Sequence, residues 1–423
     1  MRKKDEKEAK KEAKIKQVKK EIEKTKMKKK QKIYMDYAAT TPVREEVIEE
    51  MLPYFNEKFG NASSIHSFGI EAKIAIENSR EKIAKSLKVS PEEIIFTSGG
   101  TEANNLALIG YALANREKGN HIITSSIEHA AVLETCKYLE NLGFKVTYIP
   151  VDKFGLVSPA DVREAITNKT ILISIMHANN EIGTIQPIED IAKIAKEKDI
   201  AFHTDAVQTF GKINFDTKNI DMISISSHKI YGPKGVGALV IKKGINVLPI
   251  IHGGGHERGI RSGTENVPAI VGFGKATELA FKEIPSESRR IKKLRDKIID
   301  FILDEENNKK LKGARINGSI EKRLFNNVNM SFTKIEGEAL VKMLDDYGIA
   351  ASTGSACSSH KLEPSHVLLA IGLTPQMAHG SLRITLGKYN KEEDIEYFLE
   401  VLPRCIEKLR EISKGITEKE LED

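Results

Sequence analysis

The sequence predicts an α/β protein with two domains, the larger one built on a mainly parallel sheet. Between residues 91 and 242, short β-branched runs alternate with helical patterns, as they do in parallel α/β sheets. Polar residues follow several of these runs, at the edge where open α/β sheets bind their ligands. The chain has 423 residues, 40% of them apolar, which is enough for a large core and two domains.

Seven short apolar runs in this region are predicted to form the strands of the sheet. They are rich in isoleucine, valine and other residues that are common in strands. In chain order they cover residues 94–97, 121–125, 145–150, 171–176, 201–204, 222–226 and 237–241. We therefore expect a large domain with a seven-stranded sheet over residues 47–284.

The chain after residue 266 has a different pattern, which predicts a smaller α+β domain. A long helical pattern breaks at Pro285, because proline cannot donate the hydrogen bond that continues a helix. The elements expected after it are a charged amphipathic helix, two strands and a closing helix, at residues 286–305, 327–332, 381–386 and 391–414. We expect this domain to comprise residues 33–46 together with 285–423.

The basic character of the chain is concentrated at its N-terminus. Residues 1–32 hold 16 Lys/Arg and 6 Asp/Glu, a surplus of +10, and since the whole chain carries +6, the rest carries −4. The segment lacks an apolar stripe that could dock it as a helix, and we interpret it as a mostly disordered extension. Binding of nucleic acid or an acidic surface is the alternative, which the absence of aromatic residues disfavours.

Other patterns exclude several classes of protein. No apolar run approaches the roughly 20 residues that span a bilayer, and the N-terminus is charged rather than a secretory apolar segment, so we expect a cytoplasmic protein without a membrane partner. Cys136, Cys357 and Cys405 lie far apart without CxxC spacing, so no disulfide framework or metal site is expected. The segment from His252 to Arg258 contains three glycines and is interpreted as a structural or interface loop.

Lys229 stands at a position unusual for a solvated charge. It follows the predicted strand at residues 222–226 and precedes a Pro/Gly turn, with Ser226 and His228 beside it. A lysine desolvated at such a strand end can lose its proton and form Schiff bases. The neighbouring predicted strand ends in Asp205, and a carboxylate there is the counter-charge that a pyridinium nitrogen needs. Together the two residues indicate pyridoxal phosphate, although Asp205 alone could be only a turn or helix cap.

A candidate phosphate site precedes both residues in the chain. Ser98, Gly99, Gly100 and Thr101 lie between a predicted strand and a predicted helix, where unpaired backbone N–H groups and the positive end of the helix dipole meet. An anion fits this position. An ordinary connection with Thr101 as the helix N-cap is the alternative.

Cys357 differs from the other two cysteines in its surroundings. It lies among glycine, serine, alanine and threonine residues that offer little apolar burial, whereas Cys136 and Cys405 lie within apolar helical patterns. We expect a mobile, solvent-reachable thiol that can enter a pocket, attack and leave with its cargo.

From residue 33 to its C-terminus the sequence resembles the cysteine desulfurases of the NifS/IscS-like group, which are fold-type I pyridoxal phosphate enzymes of the class V aminotransferase superfamily. The resemblance rests on eight ordered motifs, namely residues 34–42 (YMDYAATTP), 59–61 (FGN), 97–102 (TSGGTE), 128–129 (EH), 179–183 (NNEIG), 227–235 (SHKIYGPKG), 261–264 (RSGT) and 354–357 (GSAC). The loop around Cys357 is similar to that of the group with a mobile catalytic loop.

The resemblance implies a role for each matching residue. Lys229 would hold the cofactor as a Schiff base and move protons at the substrate α carbon, Asp205 would pair with the pyridine nitrogen, and His129 would stack on the ring and act as acid or base. Asn180 and Gln208 match residues that contact the ring oxygen, and Arg383 matches the arginine that pairs with the substrate carboxylate. The phosphate ligands would be Gly100, Thr101, Ser226 and His228. Locally, His129 could be only a neighbour of a helix cap, and Arg383 only a surface charge.

The resemblance also implies partners and a reaction. Thr264 matches a threonine that reaches the phosphate of a neighbouring subunit, which implies a homodimer with shared sites. The expected reaction converts L-cysteine to L-alanine with a persulfide on Cys357, and supplies sulfur to an acceptor such as an iron–sulfur scaffold protein or a thiolation enzyme. The alternatives are a selenocysteine lyase and a noncatalytic sulfur-transfer scaffold.

Overall fold

The computed structural model describes residues 32–311, 313–354 and 364–419, with side chains described as far as residue 412. The predictions for the basic segment, apart from its last residue, and for Cys357 lie outside these residues. In the described part of the chain, no helix is both long enough and apolar enough to pass through a bilayer.

The strands of the described chain are short. In chain order they are β1 (Ile33–Tyr34), β2 (Ile94–Thr97), β3 (His121–Ser125), β4 (Lys145–Ile149), β5 (Thr170–Ser174), β6 (Ala201–Asp205), β7 (Met222–Ser226), β8 (Gly237–Ile241), β9 (Arg315–Ile316), β10 (Asn327–Ser331), β11 (Ile349–Ala350) and β12 (Ser381–Thr385). Each predicted strand is present, and its bounds differ from the prediction by at most two residues at either end. The β-branched runs therefore located the strands correctly.

The helices alternate with the strands of the main sheet and then dominate the C-terminal part. They are α1 (Glu45–Met51), α2 (Pro53–Asn56), α3 (Ser67–Leu87), α4 (Gly100–Asn105), α5 (Tyr111–Ala114), α6 (Ala130–Asn141), α7 (Pro159–Ala165), α8 (Ile188–Glu197), α9 (Val267–Leu303), α10 (Glu305–Leu311), α11 (Gly337–Asp346), α12 (His366–Ala370), α13 (Pro375–His379) and α14 (Glu392–Lys419). A π-helical turn, Leu106–Gly110, joins α4 to α5.

The main sheet has seven strands in the order β2-β8-β7-β6-β5-β3-β4. Strand β8 is antiparallel to both of its neighbours, and the other pairs are parallel. The prediction of a mainly parallel seven-stranded sheet is confirmed. Every residue of β2, β3, β5, β6 and β7 is buried, as expected for a sheet covered by helices on both faces. Because these five strands run in one direction, their carboxyl ends meet at one edge.

A second, smaller unit is built around the antiparallel sheet β12-β10-β9. Its hydrophobic cluster includes Val328, Leu382 and Phe398, and also Ile33 and Met35 from the start of the described chain. Strand β1 pairs in parallel with β11, which joins the N-terminal segment to this unit. These contacts agree with the expected α+β character, while the exact domain bounds stay a prediction.

Helix α9 contradicts the prediction that the helical pattern breaks at Pro285. It continues through this residue from Val267 to Leu303. Before the proline, residues such as Phe273 pack in the cluster of the main sheet, and after it, residues such as Ile298 pack in the cluster of the smaller unit. Because apolar packing holds the helix on both sides, it outweighs the single hydrogen bond that proline cannot donate.

Candidate active site

A cavity of about 300 Å³ lies where the parallel strands of the main sheet end. It is enclosed by residues that follow β2, β3, β5, β6 and β7, and by parts of the N-terminal segment and the smaller unit. The predicted site residues that line it are Gly100, Thr101, His129, Asn180, Asp205, Gln208, Ser226, His228, Lys229 and Arg383. Residues separated by almost 300 positions in the chain therefore share one pocket.

Lys229 is held at the cavity wall by the N-terminal segment. It ends a 3-10 turn, Ser227–Lys229, that directly follows β7. Its Nζ donates hydrogen bonds to the carbonyl oxygens of Ala38, at 2.6 Å, and Ala39, at 2.7 Å. Both acceptors are neutral. These two carbonyl groups orient the amine at the cavity wall.

Asp205 is buried at the end of β6, and both of its carboxylate oxygens are hydrogen-bonded. Oδ2 accepts from the side-chain amide of Asn104 at 2.7 Å, and Oδ1 accepts from the backbone N–H of Val207 at 2.9 Å. The second contact is typical of an aspartate that stabilises a local turn, which was the alternative role considered for Asp205 in the sequence analysis. Asp205 therefore stabilises its turn and also lines the cavity. Asn104 comes from α4, and the sequence reasoning did not find it.

His129 is the N-cap of α6, and it faces the cavity as well. Its Nδ1 accepts a hydrogen bond from the backbone N–H of Ala131 at 3.0 Å. A nitrogen that accepts cannot carry the proton, so the neutral ring has its proton on Nε2. The capping contact fixes the plane and the tautomer of the ring together.

The predicted phosphate end of the cavity combines a close backbone approach with an unpaired hydroxyl. A Cβ atom at Gly100 would lie 2.7 Å from Cγ2 of Val207, so a larger residue would clash with Val207 and the close approach of the two residues requires glycine. The Ser226 hydroxyl is buried and has no hydrogen-bond partner among the described residues. Thr101 is the second residue of α4, whose N-cap is Gly99, so Thr101 is not the helix cap.

His228 borders the same end of the cavity and reports its electrostatic character. Burial, and then the positive charges of Lys229, Lys234 and Lys212, together lower the pKa of His228 to about 4. The ring is therefore neutral at pH 7, with Nδ1 at 3.1 Å from Oγ1 of Thr40. The positive field that disfavours a charged histidine attracts an anion.

Arg383 is buried in the centre of β12, which excludes the alternative of a surface charge; its side chain is 3% exposed. Nη2 donates to Oδ1 of Asp36 at 2.8 Å, and Nη1 donates to the carbonyl oxygens of Asn180, at 3.1 Å, and Gly354, at 3.4 Å. Its Nε is buried and has no partner among the described residues. A guanidinium that is fixed on two nitrogens and unpaired on the third presents one donor to a ligand.

Among the described residues, the predicted site residue that does not line the cavity is Thr264. It is exposed on the loop before α9. Cys357 lies outside the described residues, but Gly354, three positions before it, lines the cavity. The roles of both residues stay predictions.

Several contacts of the site were missed by the sequence reasoning. They are the carbonyl groups of Ala38 and Ala39, the carboxylate of Asp36, the amide of Asn104, and Met176 in the cavity wall. Residues 34–42 were recognised only as a family motif. The sequence contained no signal that their backbone carbonyl groups would accept hydrogen bonds from Lys229. Asn104 lies four residues after Gly100 on α4, a spacing of one turn that could have placed it on the same face.

Comparisons with known proteins agree with this geometry. The family model described as Aminotransferase class-V matches residues 33–398. A cysteine desulfurase IscS from Dictyoglomus turgidum is 57% identical over 386 residues, which cover 91% of this chain and 97% of that protein. Another, from Methanosarcina thermophila, is 56% identical over 383 residues, which cover 90% and 93% of the two chains. The chain belongs to the NifS/IscS-like cysteine desulfurase family.

Solved structures extend the likeness of this desulfurase-family chain to its fold. A structure described as a NifS-like protein has a TM-score of 0.83 and 45% sequence identity, and covers 89% of this chain and 100% of its own. A structure described as SspA in complex with cysteine has a TM-score of 0.73 and 42% identity, and covers 85% and 100%. The prediction of a fold-type I pyridoxal phosphate enzyme is confirmed.

The cavity of this desulfurase-family member has the donors and charges that pyridoxal phosphate requires. The buried hydroxyl of Ser226, which has no partner among the described residues, suits the phosphate, in the positive surroundings described for His228. The oriented carboxylate of Asp205 suits a pyridinium nitrogen, and the amine of Lys229 suits the aldehyde carbon. The side chains of the protein therefore fit both the phosphate group and the pyridine ring of the cofactor.

Proposed function

We propose that the protein is a cysteine desulfurase that converts L-cysteine to L-alanine and leaves a persulfide on Cys357. Its product sulfur would serve iron–sulfur cluster assembly or thiolation. The observation that carries the proposal is that one cavity contains both the amine of Lys229 and a buried Arg383 whose Nε has no partner among the described residues. The first suits a cofactor that reacts with amino acids, and the second suits an α-carboxylate.

The binding step is assigned to Arg383. Its Nη1 and Nη2 are fixed by Asn180, Gly354 and Asp36, so the plane of the guanidinium is set before a ligand arrives. The Nε–H is then available to a carboxylate oxygen. Because the donor is buried, a carboxylate that reaches it leaves water and forms a strong charge-assisted hydrogen bond.

The proton transfers are assigned to Lys229 and His129. Pyridoxal phosphate, when bound, withdraws electrons from the amino acid, which makes its α proton acidic and its sulfur open to attack. Lys229 would remove and return protons at the α carbon, since its amine points into the cavity from the end of β7. His129 would hold or deliver a proton through Nε2, because its Nδ1 is occupied by the backbone of Ala131.

The sulfur transfer is assigned to Cys357. Its thiolate would attack the sulfur of L-cysteine, so that a sulfur–sulfur bond forms while the carbon–sulfur bond breaks and the carbon takes up a proton to become the methyl group of L-alanine. Gly354 lines the cavity, and three residues of extended chain reach about 10 Å, so covalent geometry allows Cys357 to meet a substrate held by Arg383. The thiolate, rather than the thiol, is the nucleophile.

The test compares two variants with the parent protein. Cys357→Ser is expected to retain the visible absorbance of the lysine-bound cofactor and to lose both L-alanine formation and the mass of one added sulfur atom. Lys229→Ala is expected to lose that absorbance. Full desulfuration by Cys357→Ser, or a normal spectrum from Lys229→Ala, contradicts the proposal.

We further propose that two copies of the chain associate and share their sites. The support is an apolar patch, defined as the exposed side chains of Leu52, Phe55, Phe59, Ile65 and Phe68 within one short stretch of chain, of which the rings of Phe59 and Phe68 lie 5.6 Å apart. Apolar patches of this kind are usually covered by a partner. Thr264 would reach the cofactor phosphate of the second copy, as its exposed position permits.

The sulfur acceptor and the location are proposed on sequence grounds. The acceptor would be an iron–sulfur scaffold protein or a thiolation enzyme, since a surface persulfide needs a partner thiol to receive its sulfur. The cytoplasmic location stays a prediction from the sequence.

A further inference from the structure

A chain of hydrogen bonds connects a second lysine to Lys229. The Nζ of Lys212 lies 3.3 Å from Oε1 of Gln208, to which it donates. The Nε2 of Gln208 donates to the carbonyl oxygen of Ala38 at 3.0 Å, and the Nζ of Lys229 donates to the same oxygen at 2.6 Å. The carbonyl oxygen of Ala38 therefore accepts hydrogen bonds from both Gln208 and Lys229. Lys212 is connected to this oxygen through Gln208.

Lys212 lies in surroundings that do not neutralise its charge. It borders a small cavity of about 60 Å³ behind Lys229. Besides the two lysines, the charged or titratable residues that line this cavity are Tyr37, Arg44, Tyr231, Glu283, Glu287 and Lys388. Burial, and then the positive charge of Lys229, lower the pKa of Lys212 to about 7.

The carboxylates of this cavity are already paired with other residues. Glu283 lies 2.8 Å from Arg44 and 2.7 Å from Lys388, and Glu287 lies 2.9 Å from Arg290. Among the described residues, no carboxylate lies within ion-pair distance of Lys212. Lys212 is half-buried by surface exposure, so it is its hydrogen bond to Gln208, rather than desolvation, that connects it to the site.

The contact with Lys212 determines which way the Gln208 amide faces. In its charged form Lys212 is a hydrogen-bond donor only, so the atom that meets it is then the amide oxygen, and Oε1 of Gln208 is the atom that lies there. The amide nitrogen is then turned towards Ala38 and the main cavity, which Gln208 lines. If the amide were reversed, two donors would meet at Lys212, and the carbonyl of Ala38 would face another oxygen.

We propose that Lys212 is a positioning residue, which holds Gln208 as a hydrogen-bond donor towards the cofactor and lowers the proton affinity of the Lys229 nitrogen. This inference rests on the proposed function and on the resemblance of Gln208 to residues that contact the ring oxygen of pyridoxal phosphate. Two effects act in the same direction. A nearby positive charge opposes protonation of the nitrogen, and an amide donor stabilises the ring oxygen as an anion, which weakens its hold on the shared proton.

The experiment is a pH titration of the visible absorbance of the lysine-bound cofactor in the purified holoenzyme. In Lys212→Met the midpoint is expected to rise by about one pH unit relative to the parent protein. Lys212→Arg keeps a donor that is always charged, and it is expected to keep the midpoint at or below that of the parent. This variant also covers the case in which Lys212→Met does not fold.

Two controls separate the proposed role from a general effect of charge. Lys388→Met removes a lysine from the same small cavity, but that lysine pairs with Glu283, so its midpoint is expected to move by less than a third of the Lys212→Met shift. In a Gln208→Ala background, the Lys212→Met shift is expected to shrink by at least half, because one of its two causes is gone.

Several results would overturn the inference. They are an unchanged midpoint in Lys212→Met, an equal shift in Lys388→Met, or an undiminished shift in the Gln208→Ala background. Failure of the proposed function is distinguishable, since the parent protein would then lack the visible band that is titrated. A parent with a normal band and a Lys212→Met variant with the same midpoint contradicts the role of Lys212 alone.

Discussion

Asp36 and Arg383 form an ion pair at 2.8 Å although 347 residues separate them in the chain. The pair is possible because Asp36 forms a parallel β-bridge with Thr385, the last residue of β12, and β12 also carries Arg383. Asp36 thereby compensates the charge of a buried guanidinium and leaves its Nε unpaired. The ion pair links the N-terminal segment to the proposed substrate anchor.

Replacement of Asp36 by Asn is expected to destabilise the ligand-free protein by about 1–3 kcal/mol, because it leaves the buried Arg383 without a counter-charge. Saturating L-alanine is expected to restore part of that loss, since its carboxylate supplies the missing negative charge. Urea unfolding with and without L-alanine measures both effects.

A matched control for this variant is Asp296→Asn. Asp296 pairs with Arg295, a guanidinium that is 4% exposed and does not line the cavity. This variant is expected to lose stability without any added response to L-alanine. An equal response of the two variants to L-alanine would contradict the role given to Asp36.

Replacement of Ser226 by Ala tests the phosphate end of the cavity. The Ser226 hydroxyl has no partner within the described residues, so its loss is expected to leave the stability of the apoprotein unchanged or slightly higher. Its loss is also expected to weaken pyridoxal phosphate binding by about 10- to 150-fold, the value of one hydrogen bond to a charged group. Titration of apoprotein with the cofactor, followed by absorbance, measures the change.

Ser227→Ala is the control for this experiment. The Ser227 hydroxyl is also buried and unpaired among the described residues, but it does not line the cavity. Cofactor affinity should therefore be close to that of the parent. If both variants bind the cofactor equally well, the assignment of Ser226 is wrong.

Glu128 gives a prediction for the dependence of stability on pH. Burial raises the pKa of Glu128 to about 8, although Ser125 and the backbone of Met176 donate hydrogen bonds to it. The folded protein therefore binds one proton more than the unfolded chain between about pH 4.5 and pH 8. In this window the free energy of unfolding decreases as the pH rises, by up to about 1.4 kcal/mol per pH unit.

Glu128→Gln is expected to remove this part of the slope, because a neutral amide keeps an oxygen acceptor and does not titrate. Denaturant unfolding at several pH values from 5 to 8 measures it. Glu134→Gln, at an exposed position paired with Lys137, is expected to keep the slope of the parent. A parent protein whose stability is flat over this range would refute the prediction.

Ile65 tests the proposed association of two copies. It is 94% exposed and belongs to the apolar patch with Phe59 and Phe68. Ile65→Asp places an unpaired charge in the proposed interface, so the molar mass measured by light scattering is expected to fall from that of a dimer towards that of a monomer. Ile320→Asp, at an exposed isoleucine outside the patch, is expected to leave the mass unchanged.

The fold was predictable where local sequence determines structure. Strands such as β2 and β7 consist of β-branched or apolar residues between turn signals, and their bounds were predicted without error. The break expected at Pro285 was wrong because the packing of α9 depends on two clusters that the local pattern does not contain. Local patterns predict elements, and tertiary contacts decide their ends.

The site was predictable as a set of residues, and less so as a set of contacts. Lys229 and Asp205 stand at strand ends, which the pattern indicates directly. The partners that orient them, Ala38 and Asn104, lie 191 and 101 residues away from Lys229 and Asp205 respectively. No spacing or propensity in one sequence encodes such pairs, so only the folded chain supplies them.

The segment around Ala38 also constrains how the protein is made. It leaves the ribosome before Lys229 and Thr385, yet the carbonyl oxygen of Ala38 accepts a hydrogen bond from Lys229 and its backbone N–H donates one to the side chain of Thr385. Since synthesis proceeds from the N-terminus, these contacts form only after residue 385 has emerged. Newly made protein therefore acquires a complete vitamin-binding pocket only after that point, and products truncated before residue 385 cannot have one.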